Sequence, residues 1–356
     1  MIGLYVHIPF CESKCPYCDF YSVPFNADTA YQYADAVIRN IKHFNERYDS
    51  VYFGGGTPML MWEDITRILA ATRVKSGAEV TVEANPRTVS GIAVQELRDS
   101  GVNRISVGAQ SFVVSELRTL GRAHSPDEIG TAVKTIYDNG ITNISADIML
   151  GIPRQSDGTL KRTLKMLGDL PLAHVSAYML KIEPGTPYHK DGITGADEET
   201  MRSLYLLTVD TLKAQGYTQY EISNFAKTGF ECEHNLKYWR CQEYLGIGAS
   251  AHSYYKGKRF NISPNIRRFI RDDTAEVIST DDTPGTFEEI AMLKLRLSEG
   301  MTFAECDEHG IDKKTMLERV KLIPKEYLNI TPNAIALTKL GFLVSNEIIG
   351  KLALGY

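Results

Sequence analysis

Two rhythms of apolar and polar positions alternate over the first two thirds of the chain. Short runs rich in β-branched and aromatic residues at 2–7, 51–53, 79–83, 104–107, 143–149 and 174–179 predict six strands. Between them the apolar positions take a helical period. Ala34, Val37, Ile38, Ile41 and Phe44 share one face, as do Ile65, Ile68 and Leu69. Repeated βα units predict a parallel sheet with right-handed crossovers, and periodicity alone does not choose between an open sheet and a barrel. After about Tyr220 the rhythm breaks into a Gly- and aromatic-rich stretch, 221–255. From Thr286 it is helical again, with Ile290, Leu293 and Leu297 on one face.

The unusual polar residues gather where the predicted strands end. Three cysteines follow the first, Gly54, Gly55, Gly56, Thr57 and Pro58 follow the second, and Glu83 ends the third. Gln110 follows the fourth and Asp147 lies near the end of the fifth. In parallel α/β folds ligands bind at that carboxyl edge.

Composition changes this picture in four ways. A chain of 356 residues predicts more than one domain, and 43% hydrophobic with 23% charged residues suits a globular core without disulfide staples. A net charge of -5 without a basic run gives no case for nucleic acid. No apolar stretch is long enough for a membrane span and no leader pattern opens the chain, so a cytoplasmic location is expected. Three of the six cysteines fall within residues 11–18, while Cys232, Cys241 and Cys306 are scattered. That distribution points to metal binding rather than to a secreted disulfide framework.

Cys11, Cys15 and Cys18 are spaced so that a tight loop can turn all three thiolates toward one centre. Three local ligands leave a fourth metal position for a substrate or cofactor. A zinc site completed by a distant His or Cys remains the alternative from spacing alone.

Beyond spacing, the C-x-x-x-C-x-x-C motif, with Tyr17 before its third cysteine and Gly54-Gly55-Gly56-Thr57-Pro58 after the next strand, resembles the radical S-adenosylmethionine superfamily. The chain is most similar to its anaerobic coproporphyrinogen oxidase and haem chaperone group. The stretches that carry this are Tyr5-Val6-His7-Ile8-Pro9-Phe10-Cys11, Val82-Glu83-Ala84-Asn85-Pro86 and Gly108-Ala109-Gln110-Ser111-Phe112. The resemblance implies a [4Fe-4S] cluster on the three cysteines, with its open iron chelated by S-adenosylmethionine. It implies cofactor contacts from Tyr5, Tyr17, Gly55, Gly56, Thr57, Glu83, Gln110, Arg122, Asp147 and Lys181. No catalytic residue is assigned.

Two departures separate the chain from the oxidase pattern. Where the oxidase has a fourth cysteine two residues on, this chain has Cys18-Asp19-Phe20, as the haem-chaperone branch does. The first strand is expected to begin at Ile2, so the oxidase's extension ahead of it is not expected here. His234-Asn235-Leu236-Lys237-Tyr238-Trp239 also matches the H-N-x-x-Y-W motif of the chaperone branch. An imidazole can ligate haem iron and aromatics can pack on the macrocycle. His234, Tyr238 and Trp239 are therefore expected haem contacts, with His252 a fourth.

The resulting expectation is an α/β protein with a partial (β/α)6 barrel over 1–225. A segment over 226–280 would be irregular and carry the haem motif at the barrel mouth. A small, mainly helical, winged-helix-like domain would follow over 281–356. The expected function is haem binding and transfer to an apo-haemoprotein, with a homodimer compatible with the cluster's role. The alternative is a radical enzyme acting on a porphyrin, by coproporphyrinogen oxidation or haem degradation.

Overall fold

The computed structural model describes residues 2–271, 277–281 and 284–355. Strand β1 (Ile2–Ile8) is buried at every position but Tyr5, because it has a neighbour on each edge and packed side chains on both faces. Strands β2 (Tyr48–Gly55), β3 (Val74–Ala84), β4 (Arg104–Gln110), β5 (Asn143–Leu150) and β6 (His174–Met179) follow it in sequence order, each parallel to the last. All six expected strands are therefore present, and all but β6 extend somewhat beyond the apolar runs that announced them.

The crossovers are helices α1 (Ala27–Phe44), α2 (Trp62–Ala70), α3 (Gly91–Asp99), α4 (Pro126–Asp138) and α5 (Asp157–Gly168), with α6 (Glu198–Ala214) after β6. Their ends are written locally. Asn26 caps α1 by accepting from the Thr29 amide at 3.0 Å, and Asn45 stops it in the left-handed region at φ 50°. Ser125 and Glu128 form a capping box at the start of α4, where Pro126 takes the first helical position.

The six-stranded wall does not close on itself. Beyond β6 lie two short antiparallel strands, β8 (Asn224–Ala226) and then β7 (Thr218–Gln219). On the free edge of β1 lies β9 (Tyr244–Ile247), parallel to it. Strands β10 (His252–Tyr255), β11 (Lys258–Ile262) and β12 (Val277–Asp281) follow, each antiparallel to the one before. This corrects the expectation of an irregular segment over 226–280. That stretch supplies a helix, α7 (Glu233–Trp239), and four strands of the main sheet. Its glycines allow close approach. Gly246 has no room for a Cβ against the His252 carbonyl, and Gly248 takes φ +119° beside the His7 backbone.

Beyond 284, helices Phe287–Lys294, Phe303–Glu308, Lys313–Val320 and Ser345–Leu354 surround a small antiparallel sheet of Met301–Thr302, Leu328–Ile330 and Ala334–Leu337. One buried apolar cluster runs without a break from Ile2 in β1 to Ala353 in the last helix. Among the described residues no helix is long and apolar enough to cross a membrane.

Candidate functional site

A cavity of about 450 Å³ opens at the carboxyl ends of the parallel strands. Cys11, Cys15, Tyr17, Cys18, Gly55 and Gly56 line it, with Thr57, Glu83, Gln110, Arg122, Asp147 and Lys181. Strands and turns from all six βα units thus bring together twelve of the thirteen residues expected at the cluster and cofactor. The thirteenth, Tyr5, lies just beneath. Its ring approaches the backbone at Gly54, and its hydroxyl is 3.1 Å from His7 Nδ1.

The cysteine loop is clasped at both ends. Phe10–Cys11 pairs in parallel with Val23–Pro24, and the Cys18 amide donates to the Cys15 carbonyl at 3.1 Å. Over the loop folds the glycine turn, whose Gly56 and Thr57 amides donate to the Ile8 and Phe10 carbonyls, both at 2.7 Å. Glycine is required here by geometry. Gly55 sits at φ +114°, where a Cβ would stand 2.6 Å from the His7 ring, and a Cβ on Gly56 would stand 2.5 Å from the Phe10 carbonyl oxygen. The Thr57 hydroxyl points at the Cys11 sulfur from 3.9 Å.

Burial raises the Cys11 and Cys18 thiol pKa values, while the Thr57 hydroxyl and Arg122 pull Cys11 down and Lys14 pulls Cys18 down. Among the described residues no three His, Cys, Asp or Glu side chains are grouped tightly enough to share one metal ion. In a cubane each of three thiolates binds a different iron, which leaves the fourth iron open.

The cavity floor carries two carboxylates. Glu83 accepts from the Tyr52 hydroxyl at 2.8 Å and from the Gly55 amide at 3.1 Å, and Asp147 accepts from the Ser106 hydroxyl at 3.1 Å. Burial, and then repulsion from Asp147, push Glu83 up to about 7; burial also raises Asp147. Two carboxyl groups that resist sharing negative charge make a floor that favours a cationic ligand. On one wall the Arg122 guanidinium donates to the Tyr17 hydroxyl at 2.6 and 3.1 Å. Gln110 is held at φ +64°, a costly conformation for a side chain other than glycine. Lys181 stands exposed at the rim, paired with Glu183 at 2.6 Å.

Sequence reasoning missed Ser106 and Ser176, which hold Asp147, and Tyr178 beside them. Their signal was available, because polar side chains at alternate positions of buried strands must face the inside of the wall.

The expected haem residues lie elsewhere. Helix α7 packs under the amino ends of the strands, opposite the cavity. His234 has none of its surface exposed, with Nδ1 2.9 Å from the Ser50 hydroxyl and Nε2 2.9 Å from the Tyr238 hydroxyl. Burial, with Lys237 and Arg104 nearby, lowers its pKa to about 3, so the ring stays neutral. Trp239 packs beneath the Arg296 guanidinium, 5.9 Å from the ring centroid. The motif is thus at the foot of the wall rather than its mouth, and His234 offers no free ring nitrogen to a metal. His252 is different. It is exposed at the start of β10, on the carboxyl side and near His7, and burial lowers its own pKa, which favours the neutral ring.

A family model for the Radical SAM superfamily matches residues 5–167. The haem chaperone HemW of Bacillus subtilis (strain 168) is 32% identical over 380 aligned positions, covering 98% of each chain. HemW of Escherichia coli (strain K12) is 36% identical over 262 positions, covering 70% of this chain and 69% of its own. The solved structure of coproporphyrinogen III oxidase (HemN) from Escherichia coli matches with a TM-score of 0.82 at 20% identity, over 100% of this chain and 90% of that one. The last likeness establishes a shared α/β fold.

Proposed function

Because the chain belongs to the HemW family of radical S-adenosylmethionine proteins, we propose that it is a haem chaperone. It would bind haem and pass it to an apo-haemoprotein in the cytoplasm. The observation that carries this reading is the likeness to HemW proteins over 98% of the chain. A residue at the site agrees: Phe20, 61% exposed on the cavity rim, stands where the oxidase pattern has a further thiol.

In this reading Cys11, Cys15 and Cys18 hold a [4Fe-4S] cluster, which supplies an electron reservoir and an open iron for S-adenosylmethionine. The chain's own groups do the rest. Glu83 and Asp147 meet the cofactor's positive charge. Arg122, oriented by Tyr17, faces its carboxylate. The turn at Gly55, Gly56 and Thr57 brings backbone amides close, while Gln110 and Lys181 border the remainder. Of the four expected haem residues, His252 alone combines an exposed ring with a place on the mouth side, so it is the proposed iron ligand.

The test is anaerobic. Cluster-loaded protein is titrated with haem and followed by its visible spectrum, and coproporphyrinogen turnover is assayed in parallel. Stoichiometric haem binding without decarboxylation is expected, with the spectrum altered in His252→Ala. Catalytic decarboxylation, or no haem binding by the unaltered protein, would overturn the reading.

A further inference from the structure

The motif at the foot of the wall has no part in the proposed haem site, yet its side chains are buried, paired and aligned with the cavity floor. Glu79 in β3 accepts from the Glu233 and His234 amides, each at 3.1 Å, and so fastens the first turn of α7 under the strands. Lys237 reaches Asp49 at 2.8 Å from the same helix. Above this anchor the His234 ring lies stacked on Tyr52, with centroids 5.4 Å apart and planes 30° apart. Tyr52 stacks in turn on Tyr5 at 6.2 Å, and its hydroxyl ends on Glu83 at 2.8 Å. Tyr238 meets the His234 ring edge-on at 5.2 Å and Tyr244 of β9 at 4.5 Å. A continuous column of rings therefore runs from the foot to the carboxylate on the cavity floor.

We propose that His234 and Tyr238 are positioning residues for cofactor binding: they support the Tyr52 ring from below so that its hydroxyl holds Glu83 in place and in its charged form. The inference rests on the reading that Glu83 meets the positive charge of S-adenosylmethionine. Every part of the column is specified. Ser50 and Tyr238 occupy both nitrogens of His234, so the ring cannot turn without losing one of them. Tyr52 has the Gly54 backbone close on its far side, where a Cβ would lie 2.9 Å from the ring. A hydroxyl donated to a carboxylate favours the ionised form. The other groups facing Glu83 are Asp147, which opposes ionisation, Arg104, which favours it, and the hydroxyls of Tyr5, Tyr178 and Tyr238.

The experiment is a calorimetric titration of the cluster-loaded full-length protein with S-adenosylmethionine between pH 6 and 8.5. In the unaltered protein affinity should fall as pH drops through about 7, where Glu83 takes up a proton. Tyr52→Phe removes one hydroxyl and should move that midpoint up by about one pH unit, making binding at pH 6 about tenfold weaker and leaving it nearly unchanged at pH 8.5. His234→Ala should move the midpoint the same way. Should it fail to fold, Ser50→Ala and Tyr238→Phe each release one side of the ring and should give smaller upward shifts. A general packing defect would instead weaken binding equally at every pH. Midpoints unchanged in Tyr52→Phe and in the His234, Ser50 and Tyr238 variants would overturn the proposal. Binding that is independent of pH in the unaltered protein, or undiminished in Glu83→Gln, would overturn the assignment of Glu83 beneath it.

Discussion

Replacing Glu83 by Gln should make the protein more stable and less able to bind its cofactor, and the two effects should separate by pH. The folded protein raises this carboxyl from 4.5 to about 7. Between those values the native state holds the proton more tightly than the unfolded chain does. The carboxyl therefore adds no penalty below pH 4.5, and stability is lost as pH rises through 7. At about 1.4 kcal/mol per pH unit, the ionised side chain costs about 3 kcal/mol at most, and water entering the cavity lowers that figure. An amide keeps one acceptor but turns an NH2 toward either the Tyr52 hydroxyl or the Gly55 amide, which gives back about 1 kcal/mol. The net expectation is a gain of about 2 kcal/mol at pH 8 that vanishes near pH 5. Urea denaturation of cluster-loaded protein at the two pH values, without S-adenosylmethionine, measures it. Calorimetry on the same variant should show S-adenosylmethionine affinity reduced at least about a hundredfold, as for a lost buried charge pair. A variant less stable than its parent at pH 8, or a difference that does not depend on pH, would refute the account of strain on the cavity floor.

Other residues give sharper single outcomes. Glu79→Ala strips an acceptor from two amides of α7 and leaves the Arg104 guanidinium, 4.0 Å away and 1% exposed, without its carboxylate. Denaturation should show a loss of about 3–5 kcal/mol. Gly55→Ala puts a methyl 2.6 Å from the His7 ring at φ +114°, so both thermal stability and S-adenosylmethionine binding should drop while far-ultraviolet circular dichroism stays native. Arg122→Lys keeps the charge but loses the fork that holds the Tyr17 hydroxyl, and S-adenosylmethionine affinity should fall about tenfold by calorimetry. Cys15→Ser should reduce iron bound after reconstitution to background in a colorimetric assay, with the fold intact because Cys15 is only half-buried and lies outside the buried apolar clusters of the described residues.

The six parallel strands were legible because each is an apolar run between helical patterns, and β6 matches its expected span residue for residue. The cofactor cavity was legible because its side chains sit at strand ends, where topology alone brings them together. The region after Tyr220 was not. Strand β9 is Tyr-Leu-Gly-Ile, too short and too glycine-rich to announce itself, and it forms because β1 presents a free edge to it. His234 was misplaced for a related reason: a motif between strands does not say which end of the sheet its helix will cover. The clue lay in the partners. Ser50, Glu79 and Arg104 are polar residues in the amino halves of buried strands, and buried polar groups need something polar brought to them.

Helix α7 also has a consequence for traffic. With Glu79, Arg104, Cys232, His234 and Lys237 all buried beneath the floor, the wall is stoppered at its foot, and the cavity communicates with solvent through its rim. A ligand seated deep between Glu83 and Asp147 then leaves by the doorway it entered, and anything docked over that doorway keeps it in. Exchange at such a site is last in, first out, so the guest bound at the rim sets the residence time of the one beneath it.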